Sequence, residues 1–200
     1  NTYLTSVSLP DSLNIIGAQA FFGCPNLNNI SIPDSVNQIG IGAFVQCSSI
    51  SSITLPASLT AIEYGVFIDC DSLTDVIIPD GVISIDDYAF GDCDGLIMAV
   101  IPESVTSVSD YAFYGCEGFT AIALENTSVV SIGQYAFAEC VNVESVTLPE
   151  ALTEQFYGYF NAQTESASMS VNINSTGTNE VHVYTSYYDY SSGGAPEERQ

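Results

Sequence analysis

One feature constrains this chain more than any other: it repeats itself at a fixed step. Pro10, Pro33, Pro56, Pro79 and Pro102 are each 23 residues apart. Phe21, Phe44, Phe67, Phe90 and Phe113 keep the same 23-residue step, and Phe137 follows after 24. Cys24, Cys47, Cys70, Cys93, Cys116 and Cys140 follow the Phe landmarks in the same rhythm and account for all 6 cysteines. Self-similarity at a period of 20–50 residues is the signature of stacked architectures, so each repeat is read as one coil of a solenoid. The sixth coil departs slightly, with Glu125 at the Pro position and one extra residue before Ile132.

Within a coil the landmarks assign roles. The segments Leu27-x-x-Ile30-x-Ile32 and Leu73-x-x-Val76-x-Ile78 alternate at their ends with a period of two, which predicts one short strand per coil. Pro comes just after that strand, where no further ladder N–H is needed. Ala43-Phe44-x-x-Cys47 and its equivalents turn the chain back on the opposite side. A single coil offers roughly seven apolar residues worth about 1.5–3 kcal/mol each on burial. Ordering its backbone costs about 1–2 kcal/mol per residue. Alone the coil loses, and only stacking closes a continuous core.

The whole unit resembles the BspA-like, or Treponema pallidum-type, leucine-rich repeat. The resemblance covers residues 4 to about 149 with every landmark in place. It implies a leucine-rich repeat solenoid of six coils, and a role outside the cell or at its surface in adhesion or protein binding.

The remainder of the chain divides on pattern. Residues 1–149 form the solenoid, 150–190 a degenerate seventh coil with a capping β-hairpin, and 191–200 a mobile tail. The seventh coil keeps Leu152 and Phe160 at the right offsets but has Gln163 in place of Cys. Residues 168–174 and Glu180–Val183 alternate polar and apolar around a Ser-Thr-Gly-Thr-Asn turn, which predicts the hairpin. Leu4, Val7 and Leu9 open the array directly on a strand, and this edge is expected to support head-to-tail self-association into a ring or filament.

Charge narrows the partners. With 24 Asp plus Glu against a single Arg or Lys, the net charge of −23 repels phosphate backbones and anionic lipid, so nucleic acid is excluded. No apolar run is long enough to insert in a membrane, and no signal peptide is visible. Cations and basic partners are favoured instead.

Five groups of side chains are candidates for chemistry or contact. The cysteines point the same way at about 4.8 Å spacing and form no C-x-x-C pair, so they are expected to be reduced, buried thiols. Stacked carboxylates, Asp69 with Asp92 and Asp71 with Asp94, could attract calcium or form a solvated acidic edge. Asn29, Asn126 and Asn174 head N-x-S/T sequons. The strand face carries the strongest signal: Ile77, Met98, Val100, Ala121 and Ala123 point outward side by side, with polar residues at either end of the array. Tyr88, Tyr111 and Tyr135 share one ladder position, as half-buried packing or as a platform for carbohydrate. Catalysis has little to work with, since the single His182 sits in no recognisable nucleophile turn and no enzyme is expected. The expected function is an interaction module with a protein or glycan partner; a self-assembling structural subunit is the alternative.

Overall fold

The computed structural model describes residues 1–149, Leu152, and the backbones of Phe156–Tyr159, Ser170–Ile173 and Val181–Tyr184. It is a β-solenoid of about six turns of about 23 residues, with parallel strands and, among the described residues, no helix.

Each coil contributes a two-residue back strand and a turn region, and every coil but the third, whose segment 52–54 forms no ladder, contributes a front strand. On the front, Ser6–Ser8 pairs in parallel with Asn29–Ser31, and Asp75–Ile77 with Met98–Val100. Ala121–Ala123 pairs with Ser145–Leu148, again in parallel. The back strands run continuously through Ala61–Ile62, Ser84–Ile85, Ser107–Val108 and Ser131–Ile132, with Ile15–Ile16 and Gln38–Ile39 pairing before them. In every pair the register joins equivalent positions, which sets apolar rows facing one core.

Phe44, Phe67, Phe90 and Phe113 are wholly buried. From Phe21 to Phe137 the rings stack with centroids 5.2–5.5 Å apart and planes within 12° of parallel. Such contacts add about 0.5–1.5 kcal/mol per pair beyond the area they bury.

The turn region is held by backbone bonds from coil to coil. Gly42, Phe44 and Gln46 donate to the carbonyls of Tyr64, Val66 and Ile68, and the next coils repeat the pattern. Two residues per coil take a left-handed conformation there. Gln19, Gly42, Gly65, Tyr88, Tyr111 and Tyr135 do so two residues before the Phe. Gly23, Gln46, Asp69, Asp92, Gly115 and Glu139 do so just before the Cys, all at φ between +53° and +70°. Most of these carry side chains, and each such residue costs about 1–2 kcal/mol of local strain that the inter-coil bonds must offset.

The cysteines are free and buried, as the spacing predicts. They also do something the spacing does not reveal. The thiols of Cys47, Cys70, Cys93, Cys116 and Cys140 donate to the carbonyls of Phe21, Phe44, Phe67, Phe90 and Phe113 in the preceding coil, at 3.0–3.3 Å. A serine on the opposite corner does the same: Ser35, Ser58 and Ser104 donate to Leu13, Val36 and Val82 carbonyls at 2.6–2.7 Å. Buried polar atoms thus find partners, and no described buried side-chain N or O lacks one.

The C-terminal segments depart from the hairpin expectation. Ser170–Ile173 pairs in parallel with Ser145–Leu148, and Val181–Tyr184 in parallel with Phe156–Tyr159. Both registers step by 25 residues, so among the described residues the winding continues past Pro149 with a longer repeat instead of reversing. Leu152 is buried and donates its N–H to Pro149, as Leu59 and Val82 do to Pro56 and Pro79. Alternation encodes a strand but not its partner. The last coil presents an open edge, and its Val146 and Leu148 align with Val171 and Ile173. Phe160, Gln163 and residues 191–200 lie outside the described residues.

Two measurements check this account. Burial pushes the Cys47 thiol up to about 11, and pushes Cys70, Cys93, Cys116 and Cys140 upward as well. A colourless-to-yellow thiol assay should therefore find no reactive cysteine in the native protein and six in denaturant; rapid native labelling would contradict the buried ladder. At Gln46, substitution by Val should lower stability by about 1–2 kcal/mol, because a β-branched residue resists the left-handed region, while Gly should hold or raise it. Chemical denaturation that ranks Val at or above Gly would overturn the strain argument.

Candidate functional site

The front strands bring the expected surface residues together. Ile77, Met98, Val100, Ala121 and Ala123 are all exposed, and the register sets Ile77 beside Val100 and Asp75 beside Met98. Ile77 is 67% exposed and Met98 53%, values high for side chains of this size and hydrophobicity. Ile97, 56% exposed, extends the patch and was not foreseen. Its N–H donates to Thr74, and equivalent positions hold Asn28, Ser51, Thr74, Thr120 and Glu144, so a lone apolar residue in a polar row was the available signal.

The front sheet is interrupted beside this patch, as it also is at segment 52–54 of the third coil. Among the described residues no backbone hydrogen bond joins the strand segment 97–101 to segment 120–124, although both neighbours are paired on their other sides. A cleft opens there, lined by Ala99, Ile101, Phe119, Ala121, Ala123 and Leu124 with Phe113 and Phe137 beneath. Ala99 occupies the inward position that Ile30, Ile53, Val76, Ile122 and Val146 fill elsewhere. Phe119 replaces the aliphatic residue of the neighbouring coils and lies tilted at 44° against Phe113.

Acidic side chains surround this face. Asp94, Glu117 and Glu144 are exposed before the strands, and Glu103 and Glu125 after them. Thr147 donates its hydroxyl to Glu125, and that bond holds the Glu125 carboxyl below its ordinary range. The described residues include no Lys or Arg.

The other candidates are placed as follows. Asp69 and Asp92 are half-buried and Asp71 and Asp94 exposed; Gln46 donates to Asp69 at 3.3 Å. Among the described residues no group of three or more His, Cys, Asp or Glu is arranged to hold a metal ion. Asp87 and Asp110 are used differently: each accepts a backbone N–H from the next coil, Asp110 at 3.2 Å and Gln134 at 2.7 Å respectively. Tyr88, Tyr111 and Tyr135 are half-buried and stack on one another at 4.7 and 5.1 Å, so the middle ring meets a tyrosine on either side. Asn29 is exposed on a front strand and Asn126 in the turn after one, while Asn174 lies outside the described residues. Leu4, Val7 and Leu9 are half-buried against the core, with Ser6–Ser8 paired on one side to Asn29–Ser31. No helix among the described residues is long and apolar enough to cross a membrane.

Coil, phenyl stack and open strand face together define a repeat solenoid that displays a surface. The chain belongs to the BspA type leucine rich repeat region family, whose model matches residues 1–117 and 85–186. The second match runs past Pro149, in keeping with the continued winding. Three solved structures illustrate the likeness. A leucine rich cell surface protein from Faecalibacterium prausnitzii is 34% identical over 74% of this chain, with a TM-score of 0.66. The T. pallidum leucine rich repeat protein is 38% identical over 74%, with a TM-score of 0.65. A leucine-rich repeat protein from Bacteroides ovatus is 29% identical over 90%, with a TM-score of 0.72. The chain spans 41%, 66% and 51% of the length of these three. No curated protein matches it.

The acidic strip has a pH signature. Burial, then the neighbouring Asp94 and Asp69, push the Asp71 carboxyl above 3.8; burial, then Asp69, Asp94 and Asp71, do the same to Asp92. A carboxyl raised in the folded state binds its proton more tightly there than in the unfolded chain, so this contribution to stability falls as pH rises through the window just above 3.8. The contribution of these carboxyls to the melting temperature should therefore rise as pH falls through the window just above 3.8, and Asp92→Asn should remove part of that rise. A profile unchanged by the substitution would show that Asp92 is not strained by its neighbours.

Proposed function

We propose that this chain is a non-enzymatic interaction module, displayed outside the cell or at its surface, that holds a protein partner against the front strands of its central coils. The observation that carries this reading is the exposed apolar row of Ile77 beside Val100 on paired front strands, with Ile97, Met98, Ala121 and Ala123 also exposed, set in an acidic rim. Isolated apolar side chains on a surface need no partner, but a rimmed contiguous patch is a mark of an interface. A protein is preferred to a glycan because the tyrosines that could have stacked on sugar rings stack on each other instead. The surface location draws support from the F. prausnitzii relative, described as a cell surface protein. Divalent cations enter this reading only as counter-ions to the acidic strip.

Beads coated with the protein should adhere to surfaces carrying extracellular matrix or host-cell proteins. The double substitution Met98→Asp, Val100→Asp adds like charge and removes apolar area, and should cut adhesion by about tenfold or more while circular dichroism stays unchanged. Full adhesion by the double variant would place the contact elsewhere.

A further inference from the structure

Coil-to-coil fastening is uneven along the array. In a stack held by nearest-neighbour contacts, partial opening falls at the weakest interface. Segments 6–24 and 29–47 are joined by a front ladder, a back ladder and the turn bonds of Gln19, Phe21 and Gly23. Segments 75–93 and 98–116 are joined in the same three ways. Segments 52–70 and 75–93 keep the back ladder, as do 98–116 and 121–140. The junction between 29–47 and 52–70 has neither ladder. No backbone hydrogen bond joins Asn29–Ser31 to segment 52–54, or Gln38–Ile39 to Ala61–Ile62. Among the described residues no other junction lacks both.

Packing is looser there as well. Ile53 and Leu55 retain 8% and 7% exposure, whereas Val76 and Ile78 one coil on retain 0% and 1%. Ile30, facing Ile53 across the junction, is half-buried. Phe44 and Phe67 have the widest spacing in the phenyl stack, 5.5 Å against 5.2–5.3 Å for the other pairs. What holds the two coils is the turn, where Gly42, Phe44 and Gln46 donate to Tyr64, Val66 and Ile68. Away from the turn the polar ties are side chains: the Ser58 hydroxyl donates to the Val36 carbonyl at 2.6 Å, and the Gln38 amide to Glu63 at 3.3 Å.

We propose that the first two coils, residues 1–47, part from the rest of the solenoid at this seam and melt as a single unit. Both ladders bind these two coils to each other, so neither leaves without the other. Stacked repeats need about three neighbours to be stable, so the released pair loses its order. The front strands 75–77 and 98–100 lie beyond the seam and keep their ladder, so the proposed contact face persists in the opened state. Opening uncovers the apolar level of Ile53, Leu59, Ile62 and Phe67.

The buried thiols, one per coil, report on this motion. The Cys47 thiol rests on the Phe21 carbonyl, Cys70 on Phe44 and Cys93 on Phe67. Loss of order in residues 1–47 therefore uncovers Cys47 and Cys70 together and leaves Cys93 covered. The full chain is alkylated with iodoacetamide in urea below the unfolding transition. Mass spectrometry of peptic peptides gives each cysteine a rate relative to the same cysteine in unfolded protein. Cys47 and Cys70 should react within about threefold of one another, and about tenfold or more faster than Cys93 and Cys116. Ser58→Ala should speed Cys47 and Cys70 by about threefold or more without moving Cys93 and Cys116. Ser104→Ala cuts the equivalent bond to the Val82 carbonyl at a junction with both ladders, and should leave Cys47 and Cys70 unchanged. Unravelling coil by coil from one end would make Cys47 about tenfold or more faster than Cys70, and a single cooperative solenoid would give Cys70 and Cys93 one rate; either result overturns the proposal. The rates in the parent chain decide the matter should a variant fail to fold.

Discussion

Equivalence between neighbouring coils is the interaction on which everything else depends. A backbone N–H in one coil bonds to a carbonyl in the next coil, so any position that works once must work again one step later. That requirement propagates a phenyl ring onto a phenyl ring, a thiol onto a Phe carbonyl, and a serine onto the carbonyl behind it. It also explains how left-handed residues such as Tyr88 and Tyr111 persist. Each is fixed by bonds to the following coil, Tyr88 N–H to Asp110 and Tyr111 N–H to Gln134, so local strain is shared across an array instead of being borne by one turn.

Much of this was legible in the residues alone, and the exceptions have identifiable causes. Pro, Phe and Cys at a constant step specify the coil, its turns and its inward rows, because sterically demanding residues can recur only where the geometry recurs. The thiol bonds were not legible: a buried Cys reads as a small hydrophobe, and its weak donor matters only once a carbonyl is known to lie behind it. The hairpin reading failed for a related reason. Alternation in Ser170–Ile173 and Val181–Tyr184 is real, but a strand's partner is chosen by the nearest open edge, and that edge belongs to the preceding coil.

The candidate face shows the same division. Ile77, Met98, Val100, Ala121 and Ala123 were identifiable because outward positions follow from period-two alternation. Ile97 was missed because it stands one residue outside the strand, where alternation gives no rule. The cleft could not be read from the outward residues at all. Its lining includes an inward alanine, Ala99, and a larger neighbour, Phe119, whose adjacency becomes visible only in the folded chain.

The front face is unfastened at more than one place, between segments 29–31 and 52–54 and again between segments 98–100 and 121–123. On the front, the coils carrying Ala99 and Ile122 share no backbone bond, whereas behind them Thr106 bonds to Ile83, Ser109 to Ile85, and Phe90 to Ala112. A stack fastened along one side and open on the other is a hinge, stiff toward compression of the open side and compliant toward its extension. Shear that pulls the two halves of the array apart would open the front first and pivot about the stacked rings of Phe90 and Phe113.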